Sequence, residues 1–94
     1  MSADEIRPFT RAELAAALQL LQSRKINSSD ELKKWNAEAR IVTQRLSASN
    51  EADLGSVPEL VWHYLIDADI RLKDPSYGNS QNSQLKEVID WLLT

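Results

Sequence analysis

The chain has 94 residues, 43% of them hydrophobic and 27% charged, which is the composition of one folded domain spanning 1–94 and not of a disordered segment. It contains no cysteine, so disulfides, thiolate zinc sites and thiol nucleophiles are excluded. We find neither a signal-peptide pattern nor a run of about 18–20 apolar residues, and therefore expect a cytoplasmic protein with no membrane contact.

The net charge of −3 is unevenly distributed. Residues 1–47 carry eight basic and six acidic side chains, whereas residues 48–94 carry three basic and eight acidic ones. An acidic second half is unfavourable for contact with a phosphate backbone, because Lys and Arg supply most of that affinity. A small basic patch on the first half remains compatible with this distribution.

The first predicted helix covers about 11–24, after a segment, 1–8, that we expect to be flexible. Thr10 and Glu13 have the spacing of a capping box, and Phe9 with Leu14 has that of a hydrophobic staple. An apolar stripe at helical spacing supports the prediction: Leu14, Leu18 and Leu21.

The second predicted helix covers about 29–47 and begins with the same capping-box spacing at Ser28 and Glu31. Its apolar residues step by three and four along one face: Leu32, Trp35, Ala39, Val42 and Leu46. Trp35 is accordingly predicted to lie in the core.

The third predicted helix covers about 57–73, with a capping box at Ser56 and Glu59 and Pro58 in its first turn. One apolar face carries Leu60, Val61, Tyr64, Leu65, Ala68 and Leu72, and a second stripe carries Trp62, Ile66 and Ile70. The polar strip that remains consists of Glu59, His63, Asp67 and Arg71, which we interpret as a ladder of exposed charge pairs.

The fourth predicted helix covers about 83–93 and buries Leu85, Val88, Ile89 and Leu92. The preceding segment 74–78 contains Pro75 and Gly78 and is predicted to form a turn. No alternating strand pattern occurs, so the predicted fold is all-α: a compact four-helix single domain, arranged as a bundle or orthogonally. The predicted core is Leu14, Leu18, Leu21, Leu32, Trp35, Val42, Leu46, Leu60, Tyr64, Leu65, Val88 and Leu92.

The function that the sequence favours is a non-catalytic protein–protein interaction module, a small regulator, inhibitor or accessory subunit. Apolar and aromatic residues outside the best packing stripes are typical binding anchors. The predicted partner-binding residues are Trp62, Ile66, Ile70 and Trp91, with the acidic Asp67 and Asp69 beside them. The expected partner is another protein or a second copy of the chain. The alternative is a purely structural role, in which the third helix lies at the centre of the fold and neighbouring helices cover it on two sides.

Nucleic-acid binding is the alternative function, although we do not expect nucleic acid to be the partner. Two basic residues lie at the end of the first predicted helix, Arg24 and Lys25. Four more lie along the second predicted helix: Lys33, Lys34, Arg40 and Arg45. Their turn lacks the glycine often found in helix-turn-helix motifs, and neighbouring acids offset their charge.

Catalysis, cofactors and metals find little support in the sequence. The only glycines, Gly55 and Gly78, stand alone, so no phosphate-binding loop is present. Glu59, His63 and Asp67 could in principle ligate a metal at helical spacing, but charge pairing explains them as well. We expect no catalytic site, no cofactor and no bound metal.

Overall fold

The computed structural model describes residues 7–94, and in that part of the chain all regular structure is α-helical. The helices are α1 (Arg11–Ser23), α2 (Ser29–Ala48), α3 (Glu51–Leu54), α4 (Glu59–Ile66), α5 (Ala68–Lys73) and α6 (Pro75–Leu93). The all-α prediction is therefore confirmed, whereas the division into four helices is not. Most of the segment 1–8 predicted to be flexible lies outside the described residues.

Helices α1 and α2 begin where the capping signals predict. The Thr10 hydroxyl accepts a hydrogen bond from the Glu13 backbone N–H, and the Glu13 carboxylate accepts one from the Thr10 backbone N–H at 3.0 Å. Ser28 likewise accepts from the Glu31 backbone N–H at 3.2 Å. These bonds satisfy donors that the first turn of a helix leaves free, so each helix starts within a residue of its predicted position.

The predicted helix over 57–73 is instead two helices, α4 and α5, separated at Asp67. The backbone of Asp67 has φ −103° and ψ 19°, outside the α-helical range. No capping box forms at Ser56, because Pro58 occupies the N-cap position and has no side-chain hydrogen bond to offer. The break leaves Leu72 exposed, although the uninterrupted pattern places it on the buried face.

The predicted turn at 74–78 is wrong, because α6 begins at Pro75 rather than near residue 83. The Asp74 carboxylate accepts a hydrogen bond from the Tyr77 backbone N–H at 3.2 Å, which makes Asp74 the N-cap. Pro75 fits the first helical position because its missing N–H would have no partner there. Gly78 is buried within the helix, where a Cβ would lie 3.4 Å from the Arg71 carbonyl oxygen.

A short helix that the sequence did not predict, α3, connects α2 to α4. Asn50 caps it by accepting from the Asp53 backbone N–H, and Gly55 ends it with φ +80°, a conformation that favours glycine. Leu54 is buried as a result.

One hydrophobic core joins the helices, with α1 packed on α6 and α2 packed on α4. The predicted core residues are buried except Leu32 and Leu60, which are half-buried and pack against its edge. The structure also buries five residues that the predicted apolar faces contain, Ala39, Val61, Ala68, Leu85 and Ile89, and adds three that those faces do not contain, Phe9, Ala15 and Leu54. The core therefore holds together both ends of the described chain.

Candidate functional site

Two isoleucines of the predicted partner surface are exposed on α4 and α5. Ile66 is 66% exposed and Ile70 is 45% exposed. Trp62, one turn before Ile66, is half-buried and packs against the hydrophobic core. We call Ile66 and Ile70 the α4–α5 surface, and Trp62 borders it rather than forming its centre.

Ile66 lies beside a shallow cavity between α4 and α2. The cavity has a volume of about 350 Å³ and is lined by Asn36, Arg40, Thr43, Leu65 and Ile66. Apolar atoms from α4 and polar ones from α2 thus meet at its edge. Such a mixture is typical of the rim of a protein interface.

Trp91 is 38% exposed, but it has an intramolecular role that the sequence does not reveal. The Arg11 guanidinium lies 4.3 Å from the centre of its ring, and a Cβ on Gly55 would come within 3.2 Å of the same ring. Trp91 therefore lies where α1, α3 and α6 meet, while Ile66 lies between α4 and α2. Trp91 does not line the cavity beside Ile66.

Asp67 and Asp69 differ sharply in their surroundings. Asp69 is exposed as predicted, whereas Asp67 is only 8% exposed. The Asp67 carboxylate accepts a hydrogen bond from the Tyr77 hydroxyl at 2.6 Å and one from the Gln81 side-chain amide at 3.2 Å. Asp67 thus belongs to the interior of the molecule, and placing it on an exposed binding edge is incorrect. The predicted charge pairs of Asp67 with His63 and Arg71 are not among the ion pairs of residues 7–94.

The basic residues of the alternative site are only partly available. Arg24 pairs with Glu38 at 3.0 Å, and Arg45 reaches Glu13 at 3.8 Å while stacking 4.0 Å from the centre of the Phe9 ring. The remaining four residues, Lys25, Lys33, Lys34 and Arg40, are exposed. Four of the six predicted basic residues therefore remain available for contact with a phosphate backbone.

The most elaborate polar arrangement surrounds Arg71, which the sequence placed on an exposed strip. Its Nη1 atom donates to the Tyr64 carbonyl oxygen at 2.7 Å and to the Gln81 side-chain oxygen at 2.8 Å. Its guanidinium lies 3.8 Å from the centre of the Tyr64 ring and 5.0 Å from that of Trp35. Burial lowers the pKa of the Arg71 guanidinium from its ordinary value.

The seven-residue separation of Arg71 from Tyr64 is a signal that could have located this arrangement. Residues seven apart on a helix share a face, and Tyr64 belongs to the buried face. The contribution of Gln81 is not visible in the sequence, because the segment around it reads as a polar linker.

A cavity of about 220 Å³ opens beside Arg71, between the end of α1 and the start of α6. Aromatic and apolar side chains form part of its wall, and side-chain amides form another part. Arg71 and Arg24 bring two guanidinium groups to the same wall. The cavity thus combines positive charge, hydrogen-bonding groups and apolar surface.

Among residues 7–94, no group of three or more acidic or histidine side chains is placed to hold a metal ion. His63 is exposed, and the buried carboxylate of Asp67 is directed to Tyr77 and Gln81 instead. None of the helices described is both long enough and apolar enough to cross a bilayer.

Comparisons with protein-family models, with curated proteins and with solved structures gave no significant match to this chain.

Proposed function

We propose that the protein is a non-catalytic protein–protein interaction module that binds its partner through the α4–α5 surface. The observation that carries this proposal is the exposure of Ile66 and Ile70 at a four-residue spacing. Because Ile66 and Ile70 are already partly covered, their complete burial by a partner contributes roughly 1–2 kcal/mol each.

The cavity beside Ile66 suggests the chemistry of the partner. An apolar side chain of the partner would contact Ile66 and Leu65, and a carboxylate would meet Arg40 at the rim. Arg40 is exposed, so its contribution to affinity is expected to be small and its effect on orientation larger.

A second copy of the chain is the simplest candidate partner, since Arg40 and Asp69 are both exposed near this surface and have opposite charge. In a twofold dimer each could meet the other across the interface. Analytical ultracentrifugation of the purified protein tests this possibility, with Ile66→Ser/Ile70→Ser as the variant expected to remain monomeric.

Differential capture from nuclease-treated lysate of the source cell tests a heterologous partner. The wild-type bait is compared with Ile66→Ser/Ile70→Ser and with the control Leu20→Ser/Leu93→Ser, which changes two equally exposed leucines elsewhere. We expect the partner to be lost with the α4–α5 variant and retained with the control. Equal capture by both variants would refute the proposed surface.

A further bait variant distinguishes the interaction module from nucleic-acid binding. Lys33→Gln/Lys34→Gln removes two exposed charges of α2 and leaves the α4–α5 surface intact. Without nuclease treatment, recovery of nucleic acid that falls steeply with salt and is lost in this variant would support the alternative. We expect neither effect.

A further inference from the structure

The cavity beside Arg71 has the features of a ligand site and shares no lining residue with the α4–α5 surface. Arg71 comes from α5, Trp35 from α2 and Tyr64 from α4, while Asn79 and Asn82 come from α6. Side chains from four helices therefore converge on one space, and only the folded molecule brings them together.

The Arg71 guanidinium is held rigidly at this wall. Tyr64 contacts it through its ring and through its backbone carbonyl oxygen, and Gln81 accepts a second hydrogen bond from Nη1. The rings of Trp35 and Tyr64 are themselves packed edge to face, with centroids 5.8 Å apart. A guanidinium stacked on aromatic rings loses little further freedom when it binds a ligand, so it is preorganised.

The charge of Arg71 is not directly neutralised by the described part of the chain. No acidic side chain of residues 7–94 forms an ion pair with it, and none lines the cavity. Asp67 is linked to it through the neutral amide of Gln81, and the charges of Asp67 and Asp69 partly offset the lowering of the Arg71 pKa by burial, although neither pairs with it directly. A half-buried cation with no carboxylate in direct contact attracts an anion more strongly than a solvated one does, because water screens it less.

Donors and apolar surface in the cavity complement a small ligand. In the described part of the chain, Nη2 and Nε of Arg71 make no hydrogen bond, and the Asn79 side chain makes none either. Arg24 contributes a second guanidinium, although its charge is shared with Glu38 at 3.0 Å. Ile26 and Leu72 provide apolar walls that an inorganic ion would not use.

We propose that this cavity binds a small organic oxyanion, a carboxylate or phosphate monoester, whose charged group pairs with Arg71 and whose apolar part contacts Ile26 and Leu72. A planar guanidinium fork matches the oxygens of either group in a bidentate manner. The volume of about 220 Å³ is large enough for a body of about one ring.

The test is a titration of the full chain with benzoate, phenyl phosphate and the neutral analogue benzamide, followed by 1H–15N NMR. A ligand of this size is expected to bind in the range of ~1–10 mM. We expect saturable shifts at the Arg71 Nε–H, the side-chain amides of Asn79 and Asn82 and the Trp35 indole N–H. The lower of the two Kd values, taken from the concentration dependence of the shifts with benzoate and with phenyl phosphate, identifies which oxyanion the site prefers.

Two variants separate the site from non-specific attraction. Arg71→Gln is expected to weaken benzoate binding at least about tenfold, because it removes a charge-assisted hydrogen bond, whereas Lys86→Gln, which removes an exposed cation of α6, leaves it unchanged. If Arg71→Gln does not fold, Arg24→Gln and the benzamide titration of the wild type still decide the question. Equal binding of benzamide, no saturable shift at about 20 mM ligand, or shifts centred on Lys33 and Lys34 would each overturn the proposal.

Discussion

At the scale of single residues, Gln81 makes hydrogen bonds that a hydrophobic side chain of similar size could not make. It is 4% exposed, and its amide faces two charged groups at once. The amide nitrogen donates to Asp67 and the amide oxygen accepts from Arg71. Gln81 therefore keeps a buried carboxylate and a half-buried guanidinium hydrogen-bonded without bringing the two into contact.

Replacement of Gln81 tests this role. Gln81→Leu removes three hydrogen bonds, those with Arg71, Asp67 and the Tyr77 hydroxyl, so we expect a loss of about 1–3 kcal/mol in the free energy of unfolding. Urea denaturation measures it. Gln84→Leu, an exposed glutamine on the same helix, should change stability by no more than about 0.5 kcal/mol. Equal effects of the two substitutions would show that the bridge does not stabilise the fold.

Two tyrosines predict how stability depends on alkaline pH. The hydrogen bond to Asp67 raises the pKa of Tyr77 above its ordinary value of 10.0, and burial raises the pKa of Tyr64. Both phenols thus hold their protons more tightly in the folded chain. Their contribution to stability is complete below pH 10.0 and is lost as the pH rises through the higher pKa values of the folded state.

Urea midpoints measured from pH 7 to pH 11 should therefore fall at the alkaline end. In Tyr77→Phe the midpoint at neutral pH should be lower, because the hydrogen bond is gone, and the alkaline fall should be smaller. An alkaline fall of the same size in both proteins would assign it to other groups.

At the scale of helices, the start of α6 depends on one side chain. Asp74 is the N-cap of α6, and its carboxylate accepts a hydrogen bond from the Tyr77 backbone N–H. Asp74→Ala should lower the free energy of unfolding by about 1 kcal/mol, while Asp74→Ser should keep most of it, since serine also caps helices. Thermal denaturation followed by circular dichroism compares the three proteins. Similar losses in both variants would contradict a capping role.

Sequence reasoning succeeded where local signals and burial agree. Thr10 and Ser28 start helices as predicted because each hydroxyl satisfies a backbone donor three residues later. The same reasoning failed at Asp74 and Pro75, since these residue types begin helices as well as turns. The polar segment after Pro75 has low helix propensity and therefore favours a turn. In the structure the segment is helical, because the burial of Gly78 and Gln81 overcomes that propensity.

The candidate sites were predicted to different degrees for a related reason. The spacing of Ile66 and Ile70 outside the main apolar face left two possibilities, exposure or cover by neighbouring helices, and the structure leaves both side chains exposed. The spacing of Tyr64 and Arg71 indicates their contact, but the cavity beside Arg71 could not be predicted, because the register of one helix cannot reveal which side chains three other helices contribute. The sequence pattern of a helix predicts which of its faces is apolar. It does not predict which side chains of different helices meet, because that depends on how the helices pack.

At the scale of the whole molecule, Arg11 joins elements that are distant in the sequence. Its Nη1 atom donates to the Leu54 carbonyl oxygen at 2.8 Å, its Nε to that of Leu92 at 3.2 Å, and its Nη2 to that of Trp91. A cation at the carbonyl end of a helix also interacts favourably with the helix dipole. Arg11 thus stabilises the last turn of α6 from the first residue of α1.

Loss of Arg11 should therefore affect the opposite end of the chain. Arg11→Met keeps much of the apolar stem but removes the three hydrogen bonds, and we expect a loss of about 1–3 kcal/mol. Hydrogen exchange should accelerate selectively at the backbone amides in the last turn of α6. Arg40→Met, which changes an exposed arginine of α2, is the control. Unchanged exchange in α6 would show that the last turn is held by other contacts.

The contacts of Arg11 also place the beginning of α1 beside the end of α6. Because the first and last helices of the described chain lie this close, the covalent order of the helices is separable from their arrangement in space. A circular permutant that links Thr94 to Pro8 through a short glycine-rich connection, and opens at the exposed Asn27, would preserve every helix. In such a molecule α2 would come first along the chain and α1 last, around the same core.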